Sequence, residues 1–284
     1  MKKRLLVTGG AGFLGNHLLR RANQFVSAGT LHHTPSTSLP GVTFHVCDLQ
    51  KPEEIRILLD RVQPDVIIHT ACSDQGKGVG AIVPAAGLLA MQTAERGIRF
   101  IHLSTDQVFD GATAPYTEES PTNPINAYGE AKVQAEELIR SLHPQATIVR
   151  NSLLYDLLTP DRQTTRLLEA TKTGERYRLF IDELRCPIWV ENLADVLLEV
   201  ATKDVPGIVH LGSHESLNRW DLGMELLHHF GITPTANIQQ GTIEESGLVR
   251  PKNLTMDSFR ARQLLYSPIL SLPEALKKVQ NLKI

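Results

Sequence analysis

The chain has 284 residues, 42% of them hydrophobic, and a formal net charge of −2. That length suits one large α/β domain or a domain with a smaller companion, and the apolar content excludes a disordered chain. The near-neutral charge argues against a dedicated nucleic-acid binder, and no run of roughly 20 apolar residues is present to span a membrane.

Strand and helix signals alternate from the first residues. "RLLVTG" reads as a strand ending in glycines, and "FLGNHLLRRANQ" has helical periodicity. "FVSAGTLHH" and "VTFHVCD" read as strands. "EEIRILLDRV" reads as a helix with Pro52 near its start, where a missing N–H costs little. "PDVIIHTA" is a buried strand by its apolar run, and "AGLLAMQTAERG" is a helix closed by Gly97. "IRFIHLST" is a further strand, "AYGEAKVQAEELIRSL" the longest clear helix, and "ATIVRNSLLY" the next strand. This alternation predicts a doubly wound parallel sheet with helices on both faces.

Beyond Asp156 the alternation loosens. "TTRLLEATKTG" and "RWDLGMELLHHFG" look helical around a strand "GIVHLG", and "LPEALKKVQNLKI" reads as an amphipathic helix. The expected division is a dinucleotide-binding domain over 1–155. Residues 156–284 then form a smaller, mainly substrate-binding α/β region that returns some elements to the first domain.

In "VTGGAGFLGNHLL", Gly9, Gly12 and Gly15 follow a strand and open a helix, the context a dinucleotide site requires. Small residues let the backbone approach a pyrophosphate, and the helix N-terminus offers it N–H groups and a positive dipole end. Phe13 and Leu14 stand at that helix start and join the candidate cofactor ligands. The second strand ends "LHHTPS", with no carboxylate to repel a 2′-phosphate and with donors from His32, His33, Thr34 and Ser36, though no arginine. NADP(H) is therefore favoured over NAD(H). Asp48 could bond the adenine amino group or simply cap the following helix. Leu49 beside it and Ala71, after the fourth strand, are further candidate cofactor contacts.

The cysteines, Cys47, Cys72 and Cys186, are odd in number and far apart, so neither a disulfide framework nor a metal motif follows. The adjacent pairs His32–His33 and His228–His229 lack metal-ligand spacing, and no metal is expected. The start of the chain has too short an apolar run for a signal peptide, and a cytoplasmic setting is expected.

Tyr128 and Lys132 stand four apart on one helix face. They occur in order with the glycine loop and with Ser104-Thr105-Asp106-Gln107-Val108-Phe109-Asp110-Gly111. Together these resemble the extended short-chain dehydrogenase/reductase superfamily, whose sheet is Rossmann-like. Within it the chain is similar to the dTDP-4-dehydrorhamnose reductase family, with S-T-D-Y-V-F-D-G followed by Y-G-x-x-K-x-x-x-E. "VRNSLLY", "WVENLADVL" and "RPKNLTMD" extend the resemblance over nearly the whole chain. It implies that Tyr128 exchanges a proton with the substrate oxygen, that Lys132 bonds the nicotinamide ribose, and that Thr105 gives a hydroxyl to the reacting oxygen. A free phenol has a pKa near ~10, and a cation on the same helix face stabilises the phenolate.

The chain also departs from that pattern. Gln107 replaces the reductases' Tyr and cannot exchange a proton, which weakens a dehydratase reading. Val83-Pro84-Ala85-Ala86-Gly87 lacks the Asn of the family's V-N-x-x-G, and "SDQGKGVGAI" is shorter than usual. Arg185 and Cys186 replace small residues before Pro187. Arg185, Trp189 and Arg250 are candidate substrate contacts, the arginines for a diphosphate and Trp189 for a ring-binding wall.

The resemblance implies NADP(H)-dependent reduction of a nucleotide-activated 4-keto sugar, with a nucleotide sugar as partner and a homodimer allowed. The alternatives are a catalytically silent cofactor-binding subunit, resembling the β subunit of methionine adenosyltransferase, and a nucleotide-sugar epimerase.

Overall fold

Residues 2–32, 38–71 and 78–282 are described by a computed structural model. The first half runs β1 (Arg4–Thr8), α1 (Phe13–Arg21), β2 (Val26–Leu31), β3 (Val42–Val46), α2 (Pro52–Val62), β4 (Val66–His69), α3 (Ile82–Glu95), β5 (Arg99–Thr105), α4 (Ala127–Leu142) and β6 (Thr147–Asn151). Then follow β7 (Leu154–Tyr155), α5 (Arg162–Thr173), β8 (Tyr177–Phe180), β9 (Leu184–Arg185), β10 (Ile188–Trp189), α6 (Val190–Val200) and β11 (Gly207–Leu211). The chain continues through β12 (Leu217–Asn218), α7 (Arg219–His229), β13 (Ile238–Gly241), α8 (Ile243–Ser246), α9 (Phe259–Leu264) and α10 (Leu272–Leu282).

Seven strands form one parallel sheet in the order β3-β2-β1-β4-β5-β6-β11. Its inner strands read as apolar runs because both faces are covered. Leu5, Val7, Ile68 and Leu103 face one hydrophobic layer with α1, α6 and α10. Leu6, Ile67, Phe100 and Ile148 face the other, with α2, α3 and α4. Alternate residues of a strand thus serve opposite layers. The strand order reverses between β1 and β4, and a crevice opens beyond the carboxyl ends of strands at such a point.

Three expectations need correction. "ATIVRNSLLY" is not one strand: β6 stays in the sheet beside β11 as far as Asn151, and the chain then leaves to pair β7 with β10. The helix expected from Ala86 begins at Ile82, so Pro84 falls in its first turn. There the missing N–H has no intrahelical partner to lose. β2 ends at Leu31 rather than His33, and His33, Thr34 and Ser36 lie outside the described residues.

β11, α6 and α10 return to the sheet layers, while the rest of the C-terminal half pairs in two-stranded pieces. β8 runs parallel to β13, and β9 antiparallel to β12. Leu167 and Ala170 of α5 and Leu227 of α7 pack with Ile238 in a separate small core.

α4 is fixed at both levels of its structure. The Asn126 side chain accepts from the Gly129 N–H at 2.9 Å and caps the first turn. Gly129 must lack a side chain, since a Cβ there would lie 2.2 Å from the Gln107 carbonyl oxygen. Further along, buried Glu136 accepts from Arg150 of β6 at 2.7 Å and from Ser104 of β5. The helix is thereby held on the carboxyl half of β5.

Candidate active site

The glycine loop begins where β1 ends. Gly9 has φ +70°, which glycine adopts without strain, and a Cβ there would lie 2.7 Å from the Ala71 Cα. At Gly15 a Cβ would lie 2.2 Å from the Gly9 carbonyl oxygen, so α1 packs directly on the loop. Gly12 donates to that same oxygen at 2.9 Å and begins α1 in an extended conformation without a side-chain cap. The N–H groups of Phe13 and Leu14 therefore open the helix with no intrahelical acceptor. Among the described residues a Cβ at Gly12 would meet only the Gly9 carbonyl within 4 Å. These features fit a dinucleotide pyrophosphate.

The other cofactor candidates divide. His32 is exposed just beyond β2, and Ala71 abuts Gly9. Leu49 packs partly buried against the layer that holds α2 and α3. The Asp48 carboxylate accepts from the Gln50 N–H at 3.0 Å and lies 3.9 Å from the Lys51 ammonium; it braces a turn before α2 and does not cap that helix, whose N-cap is Lys51. His33 and Cys72 lie outside the described residues, as do residues 73–77 of the shortened "SDQGKGVGAI" segment.

Tyr128, Lys132 and Thr105 come from adjoining elements. Lys132 is 3% exposed, donates to the Leu103 carbonyl at 2.7 Å, and holds its Nζ 5.9 Å from the centre of the Tyr128 ring. Tyr128 is half-buried against the Leu6 layer. Thr105 closes β5; its Oγ1 accepts from the Gln107 N–H at 3.2 Å and donates to Asp106 at 3.3 Å. Gln107, where the resemblance expects Tyr, accepts from the Asn126 side chain at 3.3 Å, so its amide braces the helix cap.

Of the three substrate candidates, Arg185 and Arg250 meet at Glu183, while Trp189 stands apart. Trp189 is 2% exposed and donates its indole N–H to Asp156 at 3.1 Å. It is core packing, which corrects its expected place as a ring-binding wall. Arg185 is buried and forks onto Asp106, with Nε to Oδ2 at 2.7 Å and Nη2 to Oδ1. Those donors are spent inside the protein, which corrects its expected place as a diphosphate clamp. Arg250 is exposed and donates to Glu183 at 3.2 Å. Glu183, itself 2% exposed, also faces Arg219 at 3.2 Å and Arg185 at 3.5 Å. Desolvation by burial lowers the Arg219 pKa, opposed by Glu183 and assisted by Arg185 and Arg250. Sequence inspection misses Arg219 because it opens α7 with no local signal, and misses the Asn126 cap although Asn before an apolar helix is a start signal.

Buried imidazoles surround the lysine. His69 of β4 bonds Thr8 through Nδ1 at 2.6 Å, and its ring centre lies 5.1 Å from that of its strand neighbour His102. Burial, then the Lys132 charge, lowers the His69 pKa to about 3 and drives that of His102 well below the ordinary value. Burial likewise lowers His210 of β11 to about 3, with Arg150 adding to the effect. A histidine whose folded pKa lies below its unfolded value, near ~6.5, contributes stability above that pH and loses it as pH falls toward the folded value. Each such group costs at most ~1.4 kcal/mol per pH unit in that window. The melting temperature should hold above neutrality and fall steadily as pH drops from ~6.5 toward ~4. His102→Leu removes one of these groups, whose two ring nitrogens lack hydrogen-bond partners among the described residues. Thermal melts across that range should show a shallower acid slope for the variant, and an unchanged slope would refute the assignment.

The RmlD substrate binding domain family matches residues 2–282. A dTDP-4-keto-6-deoxy-D-glucose reductase of Streptomyces niveus is 31% identical, over 82% of this chain and 81% of that protein. The methionine adenosyltransferase 2 subunit beta of Rattus norvegicus is 26% identical, over 92% and 82% respectively. The solved dTDP-4-dehydrorhamnose reductase of Bacillus anthracis, a complex with NADP, superposes with a TM-score of 0.84 at 21% identity, covering 98% of each chain. At that identity the likeness is one of fold. A match that spans almost every residue shows that the chain belongs to the RmlD substrate binding domain family.

Proposed function

We propose that the chain is an oxidoreductase that uses NADPH to reduce the ketone of a nucleotide-activated 4-keto sugar. The observation that carries this is Lys132, buried on the face of α4 that bears Tyr128 and held on the carboxyl half of β5, in the same parallel sheet whose strand β1 ends in the glycine loop. When bound, the nicotinamide supplies the hydride. The chain's own residues handle position and the proton. The Gly9–Gly15 loop and the start of α1 hold the pyrophosphate. Tyr128 protonates the oxygen that becomes the alcohol. The Lys132 charge, weakly screened in its buried position, stabilises the phenolate left behind. Thr105 presents its hydroxyl toward the reacting oxygen. A cytoplasmic setting belongs to the same proposal; among the described residues no helix is long and apolar enough to cross a membrane.

Tyr128→Phe keeps the ring and removes the proton donor. Turnover should fall at least ~100-fold while the NADPH dissociation constant stays at the wild-type value. Full activity in the variant would exclude Tyr128 as the acid. A wild type that binds NADPH yet reduces none of a panel of nucleotide 4-keto sugars would favour the silent cofactor-binding alternative, for which the similarity to the methionine adenosyltransferase subunit speaks.

NADPH should bind more tightly than NADH, because "LHHTPS" carries no carboxylate to repel a 2′-phosphate. Calorimetric titration of both cofactors measures this; tighter NADH binding would overturn it.

For the substrate diphosphate, Arg219 joins Arg250, since the two share one carboxylate and carry a surplus positive charge. Arg250→Ala and Arg219→Ala should each raise KM about tenfold or more with kcat little changed, the mark of uniform binding. Saturation titrations of dTDP, UDP and GDP in the presence of NADP⁺ should weaken in parallel. Unchanged nucleotide affinity in both variants would place the diphosphate elsewhere.

A further inference from the structure

Arg185 lies on β9 in the C-terminal half, yet its guanidinium reaches a residue 79 positions earlier. Asp106, wholly buried, opens the 3₁₀ turn that follows Thr105. Its Oδ2 accepts from Arg185 Nε and from the Ser152 hydroxyl, both at 2.7 Å. Its Oδ1 accepts from Arg185 Nη2 and, at 3.3 Å, from the Thr105 hydroxyl. Ser152 in turn accepts the Cys186 N–H at 3.1 Å, so the residue after Arg185 is tied to the same point. The remaining guanidinium nitrogen, Nη1, stands 3.5 Å from Glu183. One carboxylate thus joins the end of β5, the end of β6 and the strand β9.

We propose that Arg185 is a positioning residue that acts on Thr105 through Asp106. The Thr105 hydroxyl proton rests on a carboxylate oxygen. In an interior of low polarity an unbalanced carboxylate would hold that proton hard. The bidentate guanidinium shares the same oxygen and offsets its charge. The hydroxyl can then turn its proton from Asp106 to a substrate oxygen without leaving a naked anion behind. The planar fork also fixes the carboxylate, and with it the turn that sets where Thr105 points. A lysine could supply the charge but not the two parallel bonds. Because Thr105 matters only where a substrate oxygen is met, this role rests on the ketone reduction proposed above.

A kinetic double-mutant cycle tests it. Arg185→Gln should lower kcat at least ~10-fold with the NADPH dissociation constant unchanged, since misplacement of a reacting group acts on turnover. Arg185→Lys should recover only part of that loss. Thr105→Ala should cost much less in the Arg185→Gln background than in the wild type, because both changes disable one unit. Losses that multiply within about twofold would overturn the positioning role and leave Arg185 a structural residue. Should Arg185→Gln fail to bind NADPH, the cycle is run on Arg185→Gln with Asp106→Asn, where a neutral amide pair replaces the ion pair. A wild type inactive on every keto sugar would overturn the reduction and the positioning role with it. In that event, melting temperatures of the Asp106→Asn and Arg185→Gln variants that fail to add would retain only the fastening of β9 to β5.

Discussion

Lys132 carries an ammonium into the interior, where an unpaired charge is expensive. Most of the site follows from how that charge is housed. The Leu103 carbonyl receives it, which sets the height of α4 on β5. One turn earlier on the same face stands Tyr128, which is therefore delivered to the strand ends rather than to solvent. Burial and the lysine's charge keep His69 and His102 neutral near pH 7, so neither imidazole adds a second cation. Glu136 lies one turn further along α4, but its charge is consumed by Arg150. Both carboxylate and lysine are held by the β5–β6 side of the sheet, and the helix has little freedom to shift or rotate.

The cofactor half was legible in the sequence because its rules are local. Strands buried on both faces must be apolar runs, and a loop that lets α1 sit on its own backbone must be glycine at Gly9 and Gly15. Tyr128 and Lys132 were legible because a helix converts a spacing of four into a shared face. Helix starts were less so: α3 begins at Ile82, four residues before the apolar pattern that signals it, with Pro84 in the first turn that tolerates it. The substrate half escaped for a different reason. Its short strands pair across long separations, as Leu184–Arg185 do with Leu217–Asn218, and carry no periodicity of their own. Trp189 and Arg185 had the right chemistry for a ligand, but Asp156 and Asp106 satisfy them from distant points of the chain. Residue type predicted what each could bind and not what it would find.

The two halves also divide the electrostatics. In the cradle of the first half the described anion donors are backbone N–H groups at a helix start, a weak and directional field suited to a phosphate at close range. The second half uses full charges and must restrain them. Desolvation by burial, with repulsion from Arg185 and Arg250 added, lowers the Arg219 pKa, so three guanidiniums near one point carry a cost. Glu183 offsets part of this, and Asp106 takes up Arg185. What remains is Arg219 and Arg250 on a single shared carboxylate, with positive charge in excess. Arg250 is the exposed member and Arg219 the inner one. In the function proposed above, a substrate diphosphate between Arg250 and Arg219 would offset that excess. The same carboxylates divide the arginines: Asp106 neutralises Arg185, which suits the positioning role proposed for it, and Glu183 is shared by Arg219 and Arg250, which suits the ligand binding proposed for them.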